Sequence, residues 1–145
     1  MMVQRLKSTV AQRLYRILFW IGYLGVMITT FIPIKRVNFN KITFGPEAFH
    51  IRLDHLLHFT AYFLICIYYL AGWEKGLSLF TADPLKKFVL LVLFLATVTE
   101  LVQLWVPERA FNVFDMLSNM IGVIVGLGVI RMAQRHNGAT AQRRI

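Results

Sequence analysis

Residues 84–106 read PLKKFVLLVLFLATVTELVQLWV. After the Lys86-Lys87 pair, every residue from Phe88 to Ala96 is apolar, and the run continues past Glu100 to Val106. Strands are usually 3–10 residues long, so a stretch of this length reads as a helix. At about 1.5 Å rise per residue it covers the roughly 30 Å hydrocarbon core of a bilayer. In lipid each segment must satisfy its own backbone hydrogen bonds, and a helix does so.

Working outward, three further stretches have the same character: Leu14–Ile34, Asp54–Trp73 and Val113–Met132. Together with Pro84–Val106 they predict an all-α four-helix transmembrane bundle forming one membrane domain over residues 1–145. The composition agrees. The 145 residues are 57% hydrophobic and 16% charged, and mean hydropathy is +0.59. A soluble domain has about 45–50% apolar and about 25% charged residues. The net charge of +9 would suggest nucleic acid if it formed one soluble patch. Here the cations interrupt apolar runs, so nucleic acid is not the expected partner. Cys66 stands alone and has no partner for an internal disulfide or a cysteine-based metal motif. No internal repeat or low-complexity tract is present.

The first stretch is too long for the apolar core of a signal peptide. It runs into Ile34-Lys35-Arg36 without a small-residue cleavage site, and is read as an uncleaved helix. Orientation follows from Lys and Arg in the flanks. The N-terminal flank, the second loop and the C-terminal tail hold eleven; the first and third loops hold five, including Arg52 and Arg109. Both termini of a multi-pass membrane protein are therefore expected in the cytoplasm. Trp73 and Trp105 fall near span ends, where interfacial aromatics belong. Asp83-Pro84 reads as an N-cap followed by proline at the first helical position. Asn112–Asp115 resembles a capping box. The connector Lys35–Leu53 is apolar enough, through Phe39, Ile42, Phe44, Phe49 and Ile51, to lie on the outer interface or partly re-enter.

The polar residues all fall near the outward ends of their helices. Asp54, His58 and Tyr62 follow i, i+4, i+8 spacing and share a face. Glu100 and Gln103 share another, Asp115 and Asn119 a third, and Arg109 lies in the short loop between. An ionisable group within a span costs roughly 2.5–3.5 kcal/mol on insertion scales, so these groups should face one another or a wet cavity. Arg109 can hold the carboxylate of Glu100 or Asp115 in its planar fork. Asp54, one turn back, can orient His58.

Plainer roles stand beside these. Asp54 and Asp115 sit at helix starts, where capping alone accounts for a carboxylate. Asn119 can bridge helices for about 0.6 kcal/mol. Gly122 and Gly126 form a small-xxx-small spacing that permits close helix packing, and they are where a homo-oligomer would form. Tyr62 can be a core or interfacial aromatic. Glu100 is mid-helix, so no cap explains it. Its plainer role is an ion pair with Arg109 that locks the third helix to the fourth. His58, Glu100 and Asp115 are metal-ligand types, but each comes from a separate helix and HExxH is absent. No metal and no cofactor is expected. Ser118 and Thr60 have no nucleophile spacing, and Cys66 lies among apolar neighbours that disfavour a thiolate.

Asp54-His55-Leu56-Leu57-His58-Phe59-Thr60-Ala61-Tyr62, then Glu100-Leu101-Val102-Gln103, Pro107-Glu108-Arg109, and Asp115 with Asn119 and Gly122, resemble the VanZ-like family over about residues 54–126. The pattern usually has lysine after the first aspartate; here that position is His55. The resemblance implies a small multi-helix membrane protein of the bacterial cell envelope, and the namesake is linked to resistance to the glycopeptide teicoplanin. Three kinds of function fit these residues. The first is a binding module for membrane lipid headgroups, a lipid-linked envelope precursor or a glycopeptide, through Asp54, Tyr62, Gln103, Arg109, Asp115 and Asn119. The second is an enzyme using His58 and Glu100 as acid and base, with Arg109 stabilising negative charge. The third is a structural bundle whose polar cluster is interhelical glue. A channel is disfavoured, because the inner halves of the spans lack polar groups.

Overall fold

The computed structural model describes residues 2–29, 43–44, 51–105 and 113–142, with side chains over 9–28, 55–105 and 113–137. The described residues form four helices: α1 (Met2–Thr29), α2 (Leu53–Glu74), α3 (Pro84–Gln103) and α4 (Val113–Gln142). A two-residue antiparallel ladder precedes α2, with β1 (Thr43–Phe44) paired to β2 (Ile51–Arg52). This ladder was not expected; it lies inside the connector read as interfacial, the remainder of which is outside the described residues. The architecture is otherwise all-α.

The helix bounds differ from the hydropathy spans for physical reasons. α1 starts well before Leu14 and α4 continues past Met132. Charged residues such as Arg13 and Arg135 end an apolar stretch without ending a helix, because arginine is a good helix former. α3 stops at Gln103, where Leu104 and Trp105 N–H groups fold back onto Leu101 and Val102 carbonyls at 3.2 and 3.0 Å, closing a tight last turn. α2 ends in a Schellman motif. Leu77 N–H bonds Gly72 O at 2.8 Å and Gly76 N–H bonds Trp73 O at 2.9 Å. Gly76 takes the φ of 68° that this stop requires.

The start of α3 is a correction. Pro84 does occupy its first turn, but Asp83 makes no side-chain cap and sits at φ 46°, ψ 54°. Proline excludes the preceding residue from the right-handed helical region. Asp83 adopts the left-handed conformation that aspartate tolerates, and its carbonyl accepts the Lys87 N–H at 3.0 Å. The expected cap at Asn112 lies outside the described residues.

α2 is the central element. It packs against α1 through aromatic contacts: Tyr15 stacks on Tyr68 with centroids 5.1 Å apart, and Tyr68 Oη donates to Tyr15 O at 2.9 Å. On its other side Tyr69 stacks on Phe88 of α3 at 4.2 Å. Against α4, α2 packs backbone to backbone. A Cβ on Gly122 would lie 2.5 Å from Phe59 O, and one on Gly126 would strike Cys66 Cβ. The small-xxx-small face therefore packs, as expected, but onto α2 of the same chain. A second copy cannot use it.

α1 also fastens the α2–α3 turn. Gln12 Oε1 accepts the Ser78 N–H at 3.0 Å, and Arg16 Nε donates to Ser78 O at 3.0 Å. The N-terminal half of α1 thus shares one end of the molecule with residues 75–83. The outer surface is apolar: Ile17, Ile21, Phe94, Ile124 and Met132 are all more than half exposed. The buried residues include Thr99, Glu100, Gln103, Asp115 and Asn119. Such a distribution suits a hydrocarbon surround rather than water. Two helices, over His55–Glu74 and Val113–Asn137, are long and apolar enough to cross a bilayer. α1 carries Arg13 and Arg16, and α3 carries Lys86, Lys87 and Glu100, which lowers their hydropathy.

Gly122→Ala should lower the thermal midpoint in detergent by several degrees, since overpacking of a tight contact costs about 1–3 kcal/mol. Gly128→Ala, where an added Cβ meets nothing within 4 Å, should leave it unchanged or raise it. Thermal-shift measurement of the two variants side by side checks this.

Candidate functional site

Three helices meet at the end of the bundle formed by the start of α2, the end of α3 and the start of α4. Glu100 projects inward from α3 and has no exposed surface. Asn119 of α4 is equally buried and donates from Nδ2 to Glu100 Oε1 at 2.8 Å. Its Oδ1 lies 3.0 Å from His58 Nδ1 of α2. His58 Nδ1 is also 3.6 Å from Glu100 Oε1. The three side chains form one connected unit, with a member on each helix.

This unit constrains the imidazole. With Glu100 ionised, its oxygens only accept, so the Asn119 amide nitrogen must face Glu100 and the amide oxygen must face His58. That oxygen accepts, so His58 Nδ1 carries a proton. A neutral His58 then has its lone pair on Nε2. The His58 side chain is 21% exposed, whereas Glu100 is at 0%; the imidazole is the member that a ligand can reach.

Tyr62, one turn after His58, is buried, and its hydroxyl lies 2.8 Å from Thr99 Oγ1. This bond ties α2 to α3 just inside the Glu100 level. Nearer the end, His55 Nε2 of α2 lies 3.3 Å from Asp115 Oδ1 of α4, with the His55 side chain 19% exposed. Gln103 is buried one turn beyond Glu100. Among the described residues, no group of three His, Cys, Asp or Glu side chains is placed to hold a metal ion.

Of the residues singled out in the sequence, His58, Glu100 and Asn119 are thus in direct contact. Tyr62, Gln103 and Asp115 surround them. His58 was expected to be oriented by Asp54; the contacts described for it come from α3 and α4, and the Asp54 side chain is outside the described residues. Arg109 also falls outside them, as does its expected pairing with Glu100 or Asp115. Two participants were not foreseen as such. Thr99 had a signal in its i, i+4 spacing with Gln103, and His55 in its i, i+3 spacing with His58. Ser118 Oγ donates to Phe114 O of its own helix at 2.8 Å.

Asn119→Leu should cost about 1–3 kcal/mol of stability, because it strips a buried carboxyl of its amide donor. Tyr62→Phe should cost about 0.5–1.5 kcal/mol. Chemical unfolding in mixed micelles, monitored by tryptophan fluorescence, gives both values.

Compared with known families, residues 8–134 match the VanZ/LLP1 model. The match reaches beyond the motif region at 54–126 to take in most of α1 and the length of α4 within the apolar span. None of the curated proteins and none of the solved structures compared matches the chain. The match, with two bilayer-length helices and an apolar exterior, points to a membrane protein. The ordered polar set on α2, α3 and α4 lies inside the matched segment, and on that coverage the chain belongs to the VanZ/LLP1 family.

Proposed function

We propose that the chain is a four-span protein of the bacterial inner membrane, with cytoplasmic termini and a pocket at the outer face. The pocket binds the polar, anionic part of an envelope component: a lipid headgroup, a lipid-linked precursor or a glycopeptide. A contribution to teicoplanin resistance follows from the last of these. The observation that carries the reading is the joined Glu100–Asn119–His58 unit, with His58 and His55 a fifth exposed at its rim. Structural glue needs buried contacts only. An imidazole left partly open above a buried carboxylate gives a ligand a polar surface to reach. In this reading Arg109, which falls between Gln103 and Asp115 in the sequence, supplies the anion contact. Sidedness is supported by the eleven-to-five distribution of Lys and Arg, and by the shared end of the N-terminal half of α1 and the α2–α3 turn.

Enzymatic action is a second reading, favoured by the fixed tautomer. A neutral His58 with its lone pair on Nε2 is suited to general-base work on a lipid-borne substrate. Glu100, having no exposed surface, would then act through Asn119 on His58 rather than touch substrate itself.

Purified protein in phosphatidylcholine nanodiscs should bind an anionic phospholipid, a lipid-linked precursor or teicoplanin saturably. Arg109→Gln should weaken that binding about tenfold or more, the loss expected for a charge-assisted contact, with the thermal midpoint unchanged. Binding absent for all three probes would sink the proposal. Loss of phenotype in Glu100→Gln that tracks lost stability and abundance would leave only the glue reading. A membrane lipid profile altered by overexpression of the wild type but not of His58→Ala would select the enzyme.

A further inference from the structure

A cavity lies at the other end of the bundle, away from the polar unit. It has a volume of about 610 Å3 and is bounded by the end of α2, the start of α3 and the late part of α4. Its inner walls are apolar and aromatic, with Tyr69 and Trp73 one turn apart on α2 facing Val89 of α3 and Leu127 of α4. Lys86 and Arg131 stand at the rim from opposite helices, and both are exposed. Gln134 continues the α4 side one turn on. Leu90 also lines the cavity and is 59% exposed, so the opening faces sideways, toward the surround, as well as toward the end of the molecule.

We infer that this cavity is a binding site for an anionic phospholipid. The inference shares the bilayer placement of the proposed function but not its site. A phosphodiester fits between the ammonium of Lys86 and the guanidinium of Arg131, which can hold two of its oxygens. Trp73 and Gln134 lie at the level of the glycerol and ester groups, where an indole and an amide are at home. The upper acyl chain runs along Tyr69, Val89 and Leu127. The charge balance favours an anion. Asp83 is the acid in the lining and Glu74 ends α2 nearby, against Lys86 and Arg131 in the lining and exposed Lys75, Lys87 and Arg135 around the same end. A small soluble anion would use the rim and leave the apolar walls empty; an amphiphile uses both.

The test is native mass spectrometry of the full chain released from micelles after titration with phosphatidylglycerol or phosphatidylcholine. One phosphatidylglycerol per chain should be retained saturably and in preference to phosphatidylcholine. The double variant Lys86→Gln, Arg131→Gln should weaken retention about tenfold or more, while its thermal midpoint stays near wild type because both side chains are exposed. Leu127→Trp, which fills the cavity and keeps the charges, should also displace the lipid. His58→Ala should retain it as wild type does, which separates failure here from failure at the outer pocket. Equal retention of the two lipids, or an unaffected double variant, overturns the inference. So does competition by inorganic phosphate at the lipid's own concentration.

Discussion

A carboxyl group with no exposed surface sits in the last turn of an apolar helix, and the arrangement of three helices follows from it. Burying a charge without compensation costs several kcal/mol. Glu100 must therefore meet polar groups, and α3 alone cannot provide them. Asn119 can, because an amide donates from one atom and accepts at the other. It takes the carboxylate of α3 on its nitrogen and the imidazole of α2 on its oxygen. Gly122, three residues further along α4, makes this reach feasible. With no side chain there, α4 lies against the backbone of Phe59, the neighbour of His58. The glycine contact sets the distance between α2 and α4, and the amide reads that distance. A side chain at position 122 would disturb the polar unit as well as the packing.

Helix identity and the common depth of the polar groups were legible in the sequence, because both follow from periods along one chain. Asp54, His58 and Tyr62 line up on α2, and Glu100 with Gln103 on α3, whatever their partners are. What the sequence could not give is which helix each face meets. For His58, the partners Asn119 and Glu100 on the other helices are set by packing and not by spacing along α2. Thr97 and Thr99 illustrate the same limit. They stand about 200° apart around α3. One is exposed and bonds Leu93 O of its own helix; the other is buried against Tyr62. No local signal separates them, because threonine in a span satisfies its hydroxyl either way. Gly122 and Gly126 were legible as a packing face, but not as one directed inward.

α1 contributes in a different manner. Among its described residues it gives nothing to the polar unit. Tyr15, Phe19 and Tyr23 bury one side of α2 and α3, and Gln12 and Arg16 hold the α2–α3 turn by its backbone. The molecule is therefore divided along its length. One end is joined by side-chain polar contacts among α2, α3 and α4. The other is joined by aromatic stacking and a clamped turn, and it opens into the cavity between α3 and α4. The two ends make different demands on a surrounding bilayer: one presents imidazoles above a buried acid, the other presents cations above apolar walls.

The substitution at His55 bears on the first of these ends. The VanZ-like pattern carries lysine there, a side chain with a fixed positive charge at neutral pH and a long flexible stem. Histidine is shorter and planar, and its charge depends on proton supply. In this chain it lies 3.3 Å from Asp115, joining the first turn of α2 to the first turn of α4, with its ring 6.0 Å from that of Phe114. A lysine would place a mobile point charge at the rim. The imidazole instead sets a flat edge beside the Asp115 carboxylate and the Phe114 ring. The rim of this family member thus carries a short planar group where the pattern has a long, flexible cation.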